Sequence, residues 1–134
     1  MTEVSPELKH TFEHSPFPTF LGFRLLEVCQ GYAKASVKLQ PHHANFIGTP
    51  DGALIMSLAD YTTAVASSTL GYGVGIQFSI NMIGTTQIGS ELTAECKIVH
   101  PGKTIQVGEV TVTDDKGKLI ARATGTSLSR PGKT

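Results

Sequence analysis

The run from Gly52 to Leu70, GALIMSLADYTTAVASSTL, restricts the fold more than any other part of this chain. It is too long for one strand, and its large side chains recur at helical spacing. Leu54, Leu58, Tyr61 and Val65 share one face, with Ile55, Ala59, Thr62 and Ala66 beside them. A helix that is apolar or small on nearly every side must be buried. Asp51, just after Pro50, is placed to cap its N-terminus. Asp60 is the only charged residue between Gly52 and Ser90. A lone carboxylate in the most apolar part of a chain is costly unless something requires it, which makes Asp60 the main clue to function.

The flanking segments read as strands. Ser5-Pro6-Glu7 opens a short helix, with a capping Ser, a Pro at the first helical position and an acid in the first turn. That helix carries Leu8 and Phe12 and ends before Pro16-Phe17-Pro18, after which Thr19 to Gly22 leads into a strand. Strands are expected over Phe23 to Cys29 and Tyr32 to Leu39, joined at Gln30-Gly31. After the buried helix, Val74, Ile76, Phe78, Ile80 and Met82 alternate against Gln77, Ser79 and Asn81 in the cleanest strand of the sequence. Three more follow, over Leu92 to His100, Thr104 to Thr113 and Lys118 to Ser129, with turns at Pro101-Gly102 and Asp114 to Gly117. In the middle one the apolar parity shifts from Ile105 and Val107 to Val110 and Val112, which predicts a bulge near Gly108. Two strands, a long helix and four strands make an α+β fold, a single curved antiparallel sheet wrapped around the helix. The outer face and edges of such a sheet need cover, which favours a dimer or larger assembly.

Composition narrows the function classes. The 134 residues make one domain, with 1–19 as helix and lead-in and 130–134 as a tail. Lys plus Arg and Asp plus Glu both number 11, so no net field recruits nucleic acid. Cys29 and Cys96 fit no metal spacing and read as buried free thiols. MTEVSPELKH lacks the charged and apolar regions of a signal peptide, and no run reaches membrane-spanning length, so a cytoplasmic location and no membrane partner are expected. The adjacent His42 and His43 read as surface loop residues pointing to opposite sides, and not as a metal pair.

From Asn45 to Asp60, NFIGTPDGALIMSLAD, the chain resembles the hotdog-fold acyl-CoA thioesterases, in particular the phenylacetate-degradation type. Those carry Asn-x-x-Gly-x-x-His-Gly-Gly and then a helix bearing an acid. Asn45, Gly48 and Gly52 stand at matching positions, Asp60 falls at the spacing of the acid, and Leu58-Ala59-Asp60 matches the common Leu-x-Asp. Two positions depart: Asp51 stands in place of the His, and Ala53 in place of the second Gly. The resemblance spans about Phe20 to Ser129. It implies hydrolysis of an acyl-CoA thioester in a homodimer, or a dimer of dimers, with the site at the subunit interface. Asn45 and Gly52 would come from one subunit and Asp60 from the other. No cofactor is implied, because coenzyme A is part of the substrate.

Thioester hydrolysis needs a group that attacks or activates water, donors for the developing oxyanion, and a seat for a long anionic carrier. Desolvation makes Asp60 a stronger base or nucleophile; the bland alternative is an Asp bonded to backbone inside an interface. Gly52 offers an unpaired N–H at a helix start, or serves only a tight turn. Asn45 offers its amide, or builds an Asx-turn. Gln77, on the polar side of its strand, would orient water or satisfy nearby backbone. For substrate binding, Asp51 bears on which acyl group is accepted. Met56, with Phe17 and Phe20, points to a medium or aromatic acyl group. Lys103 and Arg130 are the candidate phosphate contacts. Two other classes compete. A hotdog dehydratase needs a His beside Asn45, where Phe46 stands. A non-catalytic acyl-CoA binder would have lost its chemistry through Asp51.

Overall fold

The computed structural model describes residues 3–71 and 73–129, so Arg130 lies outside the described residues. Helix α1 (Pro6–Glu13) starts on Ser5, whose hydroxyl accepts from the Leu8 N–H at 3.2 Å. Strands β1 (Arg24–Cys29) and β2 (Tyr32–Lys38) turn through Gly31 at φ 75°. The long helix α3 (Gly52–Ser68) is followed by β3 (Gly73–Met82), β4 (Glu91–Pro101), β5 (Ile105–Thr113) and β6 (Leu119–Ser129). All strands pair antiparallel in one six-stranded sheet, in the order β1-β2-β4-β5-β6-β3. This is the expected hotdog architecture, with β1 and β3 at the edges. No described helix is long and apolar enough to cross a membrane.

Helix α3 packs on the middle of the sheet. Leu58, Ala59, Val65 and Ala66 are fully buried against Ala33, Ala35 and Val37 of β2, Leu92 and Ala94 of β4, and Val110 and Val112 of β5. Small residues on β2 and β4 let the helix come close. Thr63 meets the sheet tightly, its hydroxyl bonding back to the Ala59 carbonyl and its methyl lying toward the sheet. Gly108 and Gly125 pair across β5 and β6 at this point. A Cβ on Gly108 would lie 2.8 Å from Cys96 Sγ, and one on Gly125 would lie 3.0 Å from Thr63 Cγ2. Gly108→Ala is therefore expected to destabilise by about 1–3 kcal/mol in denaturant unfolding, with partial recovery in Gly108→Ala/Cys96→Ala. Equal losses in the single and double variants would show that the contact is not the cause.

Three expectations need correction. First, Pro16–Leu21 forms a second helix, α2, where a lead-in to β1 was expected. Its prolines occupy the first turn, where backbone N–H groups have no intrahelical partner, so neither breaks it. Second, β5 does not change parity: Gln106, Gly108, Val110 and Val112 all face inward. The bulge lies opposite, in β4 between Ile98 and His100. A polar residue inside the sheet hid the pattern; Gln106 is buried because its Oε1 accepts from Ser67 Oγ at 2.8 Å.

Third, His43 is buried, in a single turn of 3-10 helix (Pro41–His43) and not in an extended segment. Gln40 N–H donates to its Nδ1 at 2.9 Å, so the ring proton sits on Nε2 and is donated to the Leu21 carbonyl, also at 2.9 Å. The ring thus ties α2 to the loop before α3. Burial, with His42 alongside, lowers its pKa. A lowered folded pKa means that the unfolded chain binds more protons, so this contribution to stability fades as pH falls below the usual value of about 6.5. Melting at pH 7.5 and 5.5 is expected to show a smaller acid loss in His43→Asn than in the wild type. Strand β3 forms where expected, and of its apolar series only Phe78 and Ile80 pack on the core. Val74, Ile76 and Met82 are exposed on the edge strand, where a bulge between Gly75 and Gln77 also breaks the alternation.

Candidate active site

Asp60 sits on the side of α3 that the sheet leaves open. The open stripe runs Gly52, Met56, Asp60, Ala64, one helical turn apart each. The carboxylate has no hydrogen bond or ion pair among the described residues, and desolvation by the protein packed beneath raises its pKa. Water reaches it from the open side and screens part of that effect. The direction stands, because no cation or donor among the described residues opposes it. Asp60 borders a cleft of about 380 Å³ between the second half of α3 and the β3–β6 edge. Its lining mixes hydroxyl and amide residues (Ser67, Ser68, Thr126, Ser127 and Gln77) with Ala64, Ile76 and Phe78.

Asn45 and Gly52 lie at the other end of α3. Asn45 organises its loop: Oδ1 accepts from the N–H groups of Ile47 (3.1 Å) and Thr49 (3.0 Å), and Nδ2 donates to Thr49 Oγ1 at 2.9 Å. One amide N–H remains for a ligand. Asp51 is the helix cap, as expected, with Oδ1 accepting from Ala53 N–H at 2.8 Å. That bond leaves the Gly52 N–H unpaired among the described residues and directed outward at the positive end of the helix. Gly52 borders a second, apolar cavity of about 120 Å³ with Ile55, Met82 and Ile120.

The two halves do not meet within one chain. Eight residues of helix put Gly52 and Asp60 roughly 12 Å apart along the axis. Gln77 joins Asp60 at the first cleft. Lys103 is exposed on the β4–β5 turn, where the Ser129 N–H donates to the Thr104 carbonyl at 2.8 Å, beside the Gly73 end of that cleft. Met56 is exposed but lines neither cavity, and nor do Phe17 and Phe20. The hydroxyls at Ser67, Ser68, Thr126 and Ser127 escaped the sequence reading. Ser68 carries the one available signal, standing two helical turns beyond Asp60.

The family model described as the thioesterase superfamily matches residues 51–121. The chain belongs to the thioesterase superfamily. Within it, this thioesterase is 36% identical over 107 residues to a putative esterase of Archaeoglobus fulgidus, covering 79% of this chain and 70% of the relative. It is 28% identical over 102 residues to human acyl-coenzyme A thioesterase 13, covering 73% of each. In structure it resembles the phenylacetic acid degradation protein PaaI from Thermus thermophilus, with a TM-score of 0.84 at 28% identity, covering 87% of this chain and all (100%) of that one. The matched segment runs from the cap Asp51 through α3 and into β6, so it includes Asp60, Gly52 and Gln77 but leaves out Asn45.

Proposed function

We propose that this thioesterase hydrolyses an acyl-CoA ester at a site shared by two copies of the chain. Gly52, with Asn45 near it, comes from one copy and Asp60 from the other. The thioester carbonyl oxygen accepts from the Gly52 N–H, which stabilises the oxyanion as it forms. Asp60 either takes a proton from water as its oxygen adds to the carbonyl carbon, or attacks that carbon itself. Collapse of the tetrahedral species breaks the C–S bond. The departing CoA thiolate gains a proton and the acid is released, after a second water-adding step if Asp60 was acylated.

One observation carries this reading. Asp60 and Gly52, whose carboxylate and N–H have no partner among the described residues, lie on the same exposed stripe of α3, roughly 12 Å apart along the axis, too far for one carbonyl to use both. An antiparallel partner would bring one to the other. Edge strand β3 invites such a partner, because Val74, Ile76 and Met82 are exposed along it and Ile83 beside it. Asp51 then serves the site indirectly, holding the first turn of α3 so that the Gly52 N–H stays free. Lys103, exposed beside the Gly73 end of the cleft, takes the carrier phosphates.

A screen of acyl-CoA esters reading free thiol, with Asp60→Ala as control, tests the activity. Thiol release that survives in Asp60→Ala would end this reading. The raised carboxylate pKa sets the sign of the pH dependence. The active base is the ionised form, so kcat/KM is expected to rise with pH through an apparent pKa above the ordinary aspartate value of about 3.9. A flat profile from pH 4 to 7 would contradict it.

A further inference from the structure

The two cavities differ in chemistry, and we infer from that difference how the substrate lies and how large its acyl group is. The inference rests on the shared-site reading above. A thioester has two arms leaving one carbonyl. The pantetheine arm carries two amides and needs hydrogen-bond partners when buried, whereas an alkyl acyl group needs none. The cleft beside Asp60 supplies such partners through Ser68, Ser127 and Gln77, and its Gly73 end lies beside the turn that carries Lys103. It takes the pantetheine arm, with the phosphates toward Lys103.

The cavity beside Gly52 takes the acyl group. Ile55, Met82 and Ile120 give it apolar walls, and Met82 Cε lies 3.6 Å from where a Gly52 Cβ would be. Of the three threonines that also line it, Thr86 Oγ1 donates to Asp114 Oδ2 and Thr49 Oγ1 accepts from Asn45 Nδ2. A carbonyl held by the Gly52 N–H therefore directs its alkyl side into an apolar space. At about 120 Å³ that space is smaller than the roughly 150 Å³ apolar cavity known to hold benzene, and it accepts about four carbons. The preferred substrates are short aliphatic acyl-CoAs of butyryl or isobutyryl size, contrary to the medium or aromatic group suggested by Met56, Phe17 and Phe20. Met82, half-exposed on the edge strand, sets the limit.

The test pairs turnover with binding. Acetyl-, butyryl-, isobutyryl-, hexanoyl-, octanoyl- and phenylacetyl-CoA are compared by kcat/KM, and non-hydrolysable S-butyl- and S-octyl-CoA thioethers by calorimetric Kd. Butyryl or isobutyryl is expected to be best, with octanoyl and phenylacetyl about tenfold or more poorer. S-butyl-CoA should bind more tightly than S-octyl-CoA. Met82→Ala should move the optimum to hexanoyl or longer, and Ile55→Val should move it in the same direction by less; thermal midpoints confirm that both variants fold. A wild-type optimum at octanoyl or phenylacetyl, or no shift in either variant, overturns the inference. Loss of thiol release from every ester with the S-butyl preference intact would end the hydrolase reading and leave the acyl cavity standing. Absence of any thioether preference would end the acyl cavity.

Discussion

Replacing Asp60 with asparagine is expected to lower kcat/KM by about 10²–10⁴-fold, the usual range for loss of a general base, without unfolding the chain. Asparagine keeps the volume and the hydrogen-bonding edge but can neither take a proton nor attack. Its effect on stability separates this account from a structural one. Desolvation raises the Asp60 pKa and no partner among the described residues offsets it, so the ionised carboxylate opposes folding at neutral pH. The thermal midpoint of Asp60→Asn should hold or rise. A carboxylate that served to cap backbone or to bridge charges would instead lower it when removed. Full turnover with a lowered midpoint would assign Asp60 to structure.

The second large effect is expected at Gly52, from a substitution that replaces the amide hydrogen with the Cδ of a proline ring. Gly52 is the first residue of α3, where proline is well tolerated because its missing N–H would have had no helical partner. Asp51 before it is extended, at φ −67° and ψ 135°, as a residue preceding proline prefers. An added Cβ meets only the flexible end of Met82, at 3.6 Å. Gly52→Pro should therefore fold normally and lose about 10²–10³-fold in kcat, the effect of deleting one oxyanion donor. Gly52→Ala keeps the N–H and should lose far less. Equal losses in the two variants would point to crowding and not to the missing donor.

The helix around which the fold closes was legible because its signals agree. Spacing, an Asp cap after a Pro and glycine breaks beyond it all mark the same boundaries, and the structure places α3 from Gly52 to Ser68. The strands were legible wherever one face is apolar. What stayed hidden depends on partners distant in sequence. Gln106 is inward only because Ser67 meets it, and His43 is buried only because Gln40 and Leu21 receive its ring. Pro16 and Pro18 resembled an extended segment because nothing local says that both fall in a first helical turn. At the site, Asp60 stood out by its isolation. The hydroxyls around it did not, since serines and threonines carry no such signal until the fold gathers them.

Subunit complementation tests the shared site most directly. Chains carrying Asp60→Asn and chains carrying Gly52→Pro, each inactive alone, are mixed by refolding in equal amounts. If each site takes Asp60 from one chain and Gly52 from the other, every mixed dimer holds one intact site and one doubly altered site. Random pairing under two-fold symmetry then restores about a quarter of wild-type activity. Mixed dimers that form but show no recovery would mean that both residues act within one chain, and the interfacial site would be wrong.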